Sequence, residues 1–200
     1  MKDKIVQKSV DLFLKFGFKS VTMDDIANEM GISKKTIYQH FQNKTKLVEA
    51  TALTILDNIS CGIDEICTLD KNPIEEIYEI KRFVMHNLKD EKSSPQYQLQ
   101  KYYPKIYASL KSKQFVKMLG CVTENLERGV AQKLYRDSID INFVARLYFN
   151  GIISLKDQDI FPRENFSTPM LMNNYLEYHL RGICSPKGLE TLTQLHTNQN

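Results

Sequence analysis

The chain is sparing in residues that break or pin a polypeptide. Its 200 residues include only 8 Gly and 6 Pro, with no Gly/Ser or Pro tract. That composition excludes fibrous and low-complexity classes. The four cysteines, Cys61, Cys67, Cys121 and Cys184, form no C-x-x-C pair and have no His at zinc-ligand spacing. Cys61 and Cys67 share one helical segment with geometry poor for a local disulfide. Free thiols are therefore expected. No apolar run approaches the ~18 residues of a membrane span. The start, Met1-Lys2-Asp3-Lys4, leads into a mixed pattern rather than the apolar stretch of a secretory leader. A cytoplasmic protein without membrane association is expected. The motifs G-x-S-x-G, G-x-G-x-x-G, H-E-x-x-H and the P-loop are all missing. His86, His179 and His196 are isolated in sequence. No catalytic residue, metal site or cofactor is expected.

What is present is a helical pattern with a lopsided charge. Hydrophobic residues make up 42% and charged residues 26%, enough for a real core with a soluble surface. The net charge of +3 is unevenly placed. Residues 1–50 carry nine Lys against six acidic side chains, whereas residues 51–200 carry 18 of each sign. The stretch Met30 to Val48 holds Lys34, Lys35, Lys44, Lys46 and His40 with no acid. A basic patch on a neutral body suits a phosphate backbone, the alternative being a solvated lysine face.

Hydrophobic periodicity is helical throughout, without sustained alternation of period two. Ile5, Ser9, Leu12, Phe13 and Phe16 form a first stripe, ended by Gly17. Thr22 and Asp25 make a short capping box for a second helix, which Gly31 ends. Ser33 caps a third helix, Lys34 to Phe41, and Asn43 caps a long fourth one reaching about Cys67. Further stripes include Ile77-Ile80-Val84-Leu88, Phe115-Leu119-Val122-Leu126-Val130 and Ile141-Val144-Tyr148-Ile152-Leu155, the last capped by Asp140. Residues 89–95 and 156–168 read as loops, and Pro104 as a helix break. A last long helix starts near Pro169. The polar tail after Ser185 reads as frayed, with Leu189 and Leu192 able to form a short final helix. The expectation is an all-α protein of about nine helices. A three-helix head, residues 1–46, is joined by a long helix to a helical body, residues 47–200.

The informative segment is Thr22 to Lys44, TMDDIANEMGISKKTIYQHFQNK. Two short helices meet at a turn containing Gly31, with Ile26, Ala27, Ile32 and Ile37 packing between them. That is a helix-turn-helix, whose second helix enters the major groove. On that helix Lys34 and Lys35 can reach phosphate or a guanine edge. Thr36 can bond phosphate or touch a thymine methyl, and Gln39 can pair with adenine. Tyr38 and His40 can meet the sugar-phosphate backbone, or pack inward. Thr22 and Lys44 sit at helix starts, where backbone amides favour phosphate oxygens.

Residues 5–50 resemble the TetR-type regulators. The resemblance rests on Gly17-Phe18, Val21-Thr22, Ile26-Ala27, Met30-Gly31-Ile32-Ser33, Thr36-Ile37-Tyr38, His40-Phe41, Asn43-Lys44 and Leu47 at unbroken spacing. Lys35 departs from the pattern, because many relatives carry Gly or Ala there. The resemblance implies a homodimer through the last two long helices, Asn142–Asp157 and Pro169–Cys184, on a near-palindromic double-stranded operator. It also implies a body pocket for a small-molecule effector that releases DNA. Met85, Tyr103, Tyr107, Met118 and Asn125 are candidate lining residues for a largely apolar ligand. His179 with Tyr175 and Tyr178 is expected at the dimer interface. The function expected is a ligand-released repressor. Two rivals remain: a DNA binder governed by a protein partner or by abundance, and an enzyme with a vestigial head.

Overall fold

A computed structural model describes residues 1–87 and 95–197. It is all-α, and its ten helices are α1 (Lys2–Phe16), α2 (Met23–Met30), α3 (Lys34–His40), α4 (Lys44–Cys67), α5 (Pro73–Asn87), α6 (Pro95–Tyr102), α7 (Pro104–Ala131), α8 (Ile141–Ser154), α9 (Thr168–Ile183) and α10 (Pro186–Thr197). The expected loop of residues 89–95 lies outside the described residues, apart from Pro95, which opens α6. Two compact units form: Met1–Gly62 with His86–Gln114, and Ile63–Met85 with Phe115–Asn200. Helices α4, α5 and α7 each contribute to both.

The first unit has a core of Ile5, Phe13, Phe18, Ile26, Ile37 and Leu47, each at most 1% exposed. These are the inward positions of α1 to α4, so the helical stripes do become the core. The Phe13 and Phe18 rings sit 4.9 Å apart, joining α1 to the turn that follows it. Leu99 of α6 and Ile106 of α7 complete the same cluster.

The second unit is built on Ile74, Leu126, Tyr135, Leu180 and Leu192. Its centre is polar in one place. Glu76 is 1% exposed and pairs with Arg128, while Asn125 Nδ2 donates to Glu76 Oε1 at 2.8 Å and to the Pro73 carbonyl at 3.0 Å. Tyr135 OH donates to Asn125 Oδ1 at 3.1 Å. A buried carboxylate persists only when paired and hydrogen-bonded. This network therefore fixes α5 against α7 at one register.

Pro104 marks the expected helix break: α6 ends at Tyr102, and the proline takes the first position of α7, where its missing N–H is harmless. One expectation needs correction. The tail does not fray at Ser185; the short final helix that Leu189 and Leu192 allow forms instead as α10, which buries Leu192 completely and makes ten helices among the described residues, against about nine expected. Its docking depends on Gly188. A Cβ there would lie 2.0 Å from the Leu134 carbonyl oxygen, which already accepts from the Ser185 amide at 2.9 Å. Backbone cannot yield as a flexible side chain can. Gly188→Ala is expected to destabilise the chain by about 1–3 kcal/mol, measured as a lowered urea midpoint. An unchanged midpoint would mean that α10 contributes nothing to the second core.

Candidate nucleic-acid interface

The local sequence builds the head from its caps. Thr22 closes a full capping box: its Oγ1 accepts from the Asp25 amide at 3.1 Å, and Asp25 Oδ2 accepts from the Thr22 amide at 2.7 Å. The Thr22 hydroxyl also donates to Asp25 Oδ2 at 2.8 Å, and these bonds hold the Asp25 carboxyl below the usual carboxylate range. Gly31 ends α2 with φ 62 and ψ 31, the left-handed region open to glycine at little cost. The Ile32 amide then donates back to the Ala27 carbonyl at 3.0 Å. Ser33 starts α3, its Oγ accepting from the Thr36 amide at 3.1 Å. Three residues separate α2 from α3. With Ala27 small and Ile26 and Ile37 fully buried, the two helices close on each other as a helix-turn-helix requires.

Helix α3 therefore presents one face inward and another to solvent. Ile37 anchors it. Lys35, Tyr38 and Gln39, related by three and four residues, share the outer face with His40 beside them, and all four are exposed. Tyr38 is 44% exposed, so the inward-packed alternative for its ring does not describe this structure. His40 is likewise no core histidine. It opens on a groove of about 410 Å3 beside Lys2, Phe41 and Lys46.

The other sequence-predicted residues are occupied. Lys34 Nζ binds Asp24 Oδ2 at 2.6 Å across the turn, which raises the lysine's pKa. The Thr36 hydroxyl sits 2.8 Å from Ser33 Oγ within the cap. Lys44 Nζ donates to the Lys19 carbonyl at 2.9 Å, and burial lowers its pKa. Lys44 thus ties the start of α4 to the α1–α2 turn, next to Thr22. Sequence reasoning missed Asp24 as the partner of Lys34. Their separation across a turn leaves no periodic signal.

The five candidate ligand residues are divided between the two units. Tyr103 and Tyr107 pack against the first core. Met85, Met118 and Asn125 belong to the second unit. Both amide donors of Asn125 are committed to Pro73 and Glu76. His179 is 7% exposed within the protomer, its ring 4.7 Å from Tyr148 and 6.1 Å from Tyr175, while Tyr178 is 79% exposed. Among the described residues no helix is long and apolar enough to cross a membrane, and no cluster of His, Cys, Asp or Glu could hold a metal.

A capped helix-turn-helix with a polar, cationic outer face defines the class: a protein with a nucleic-acid-reading head. Comparison with known proteins narrows it. The profile of the tetR family of bacterial regulatory proteins matches residues 5–51. A 60-residue stretch is 35% identical to the biofilm operon icaADBC negative transcriptional regulator IcaR of Staphylococcus aureus strain Newman, covering 30% of this chain and 32% of IcaR. The match thus spans about a third of that relative's length. Over the whole fold, a TetR-family regulator from Agrobacterium tumefaciens superposes with TM-score 0.72 at 18% identity, covering 92% of this chain and 97% of that one. SmeT, the repressor of the Stenotrophomonas maltophilia multidrug efflux pump SmeDEF, superposes with TM-score 0.70 at 14% identity, covering 93% and 91%. SmeT is also known as a triclosan complex, with TM-score 0.69 at 13% identity, covering 92% of each chain. Residues 5–51 thus carry the DNA-binding segment of the tetR family, and the whole chain has the fold of TetR-family regulators.

Proposed function

We propose that the protein is a homodimeric transcriptional repressor that binds a palindromic double-stranded operator through α3 and releases it when a small, largely apolar ligand binds. The observation that carries the DNA-binding part is the outer face of α3: Lys35, Tyr38, Gln39 and His40, exposed on a helix fixed by Ile37, Ser33 and Gly31. Gln39 supplies the two-pronged amide that fits adenine, and Lys35 a point charge for phosphate or guanine. Thr22, Lys34, Thr36 and Lys44 act nearer the backbone, Lys34 by exchanging Asp24 for phosphate. The functional division proposed is a DNA-binding head, residues 1–46, and an effector-binding and dimerisation body, residues 47–200. A chromosomal partner places the protein in the cytoplasm.

The dimer is proposed on α8 and α9. Phe143 and Leu147 lie one turn apart on α8, 62% and 50% exposed, and Tyr178 of α9 is 79% exposed. Apolar side chains this exposed on two adjacent helices suit burial against a second copy. Effector control is the part supported by the likeness in fold to SmeT, a repressor known in complex with triclosan. Met85, Tyr103, Tyr107 and Met118, all partly buried, are the residues proposed to respond.

The test is retention of genomic fragments by the purified protein, with Tyr38→Ala as control. Enrichment of a two-fold site that the variant loses is the expected result. Its affinity should also fall steeply with salt, with a slope of about one unit per phosphate contacted. Equal fragment profiles for wild type and variant would remove α3 as the reading element.

A further inference from the structure

The first compact unit carries a second cationic surface that the helix-turn-helix does not include. Lys19, in the turn after α1, lies 3.2 Å from Tyr102 OH and 4.4 Å from the centre of the Tyr102 ring. Lys101 lies 3.3 Å from Tyr97 OH and within cation–π range of both the Tyr97 and Tyr102 rings, at 5.4 and 5.7 Å. All four side chains are exposed. The Lys19 amide donates to Gln98 Oε1 at 2.9 Å, so α6 is pinned to the α1–α2 turn and the cluster is held in place.

The charge of this cluster is left uncompensated among the described residues. Lys8, Lys34 and Lys46 are each neutralised by a carboxylate, respectively Glu29, Asp24 and Glu49. Neither Lys19 nor Lys101 has a carboxylate at ion-pair distance among the described residues. The sequence supports the same reading, because residues 93–123 contain five Lys and no acid. Two ammonium groups with phenol hydroxyls between them match the donors that hold a sugar-phosphate backbone. The position matches too. The Lys19 carbonyl accepts from Lys44, so the cluster continues directly from the Thr22 and Lys44 edge of the head.

We propose that Lys19 and Lys101, with Tyr97 and Tyr102, grip the phosphate backbone of DNA flanking the operator half-site, extending the contact of the head onto α6. This rests on the DNA-binding reading above. An isolated helix-turn-helix places only its reading helix and helix starts on DNA. Here a fixed cationic ledge lengthens the footprint without reading sequence.

The experiment uses the full-length protein and two duplexes carrying the retained genomic site. One ends at the half-sites, and the other continues by about one helical turn, roughly 10 base pairs, on each side. Wild type is expected to bind the longer duplex on the order of tenfold more tightly at moderate salt. A Lys19→Ala/Lys101→Ala double variant should bind both alike, with the salt slope on the longer duplex reduced by about two units. The Lys19→Arg/Lys101→Arg variant should retain the preference, which separates loss of charge from loss of fold. A preference for the longer duplex that survives in the alanine double variant overturns the proposal. So does a double variant that loses binding to phosphatidylglycerol vesicles while its flank preference is unchanged, since the ledge would then serve a membrane. If Tyr38→Ala binds both duplexes as wild type does, the reading of α3 fails instead.

Discussion

Replacing Lys35 and Tyr38 together by alanine is expected to weaken operator binding by at least about a hundredfold, with little loss of stability. Each direct contact of this kind contributes about 1–3 kcal/mol, and two together approach the ~2.7 kcal/mol of a hundredfold change. The fold should tolerate the change, because both side chains are exposed and substitutions at such sites usually stay within about 0.5 kcal/mol. Lys34 behaves differently. It is held by Asp24 in an ion pair whose side chains are 46% and 58% exposed, a pair of small net value in solution. In the DNA complex proposed above the same pair would be a hindrance, because Asp24 would compete with phosphate for the ammonium and bring a negative charge to a polyanion. Asp24→Asn is therefore expected to tighten binding severalfold while Lys34→Ala weakens it. Fluorescence anisotropy on the retained genomic site checks both signs. A double variant of Lys35 and Tyr38 with wild-type affinity would put the reading surface elsewhere on the molecule.

The head was legible because its signals are local. Thr22 with Asp25, Ser33, Asn43 and Asp140 are caps, and each side chain accepts the amide expected of it three residues on. Gly31 ends its helix in the left-handed conformation that its position required. Ile26, Ala27 and Ile37 are buried where a 3.6-residue period puts them. None of this needs knowledge of what lies across the chain.

What stayed hidden is tertiary. The segment after Ser185 is polar by composition, and its helix is held by the approach of Gly188 to the Leu134 carbonyl and by Leu192, both dictated by a partner some fifty residues away. The aromatic stripes of the body gave helices but not faces. Asn125 could be singled out as a polar residue on an apolar helix. Its role in satisfying Glu76 was invisible, because Glu76 stands beside Glu75 in a helix with acidic neighbours and carries no sign of burial in its spacing. The separation of Lys34 from a phosphate by Asp24 was hidden for the same reason. Side-chain pairing across a turn follows from geometry, not from spacing.

His179 gives the second large effect, a loss of stability on mild acidification. Its ring packs against both Tyr148 and Tyr175, which also contact each other, where α8 meets α9, with no hydrogen bond to either ring nitrogen among the described residues. Burial is the cause that drives its pKa from 6.5 down to about 4. In the unfolded chain the imidazole titrates near 6.5. Between those values the unfolded state binds a proton that the folded state refuses. Stability is therefore complete above about pH 6.5 and declines as pH falls toward 4. The full difference is worth about 3 kcal/mol, and roughly 2 kcal/mol of it is lost by pH 5. Asp25 and Glu79 do not obscure this window. Their carboxyls are held below ordinary values of 3.8 and 4.5, so the stability they contribute is lost only at lower pH. Urea unfolding at pH 7.5 and pH 5 is the measurement. Wild type should lose about 2 kcal/mol across the interval, and His179→Phe, which keeps a ring against the two tyrosines, should show little of that loss. A pH-independent wild type would mean that the imidazole is solvated in the folded protein. Tyr175 OH also donates to the Leu147 and Tyr148 carbonyls at 3.2 and 3.1 Å, so the stack and the α8–α9 packing are one structure. A charged His179 would loosen the two helices proposed to form the dimer, and with them the spacing of the paired heads. Operator affinity at pH 5 should accordingly fall in wild type more than in His179→Phe.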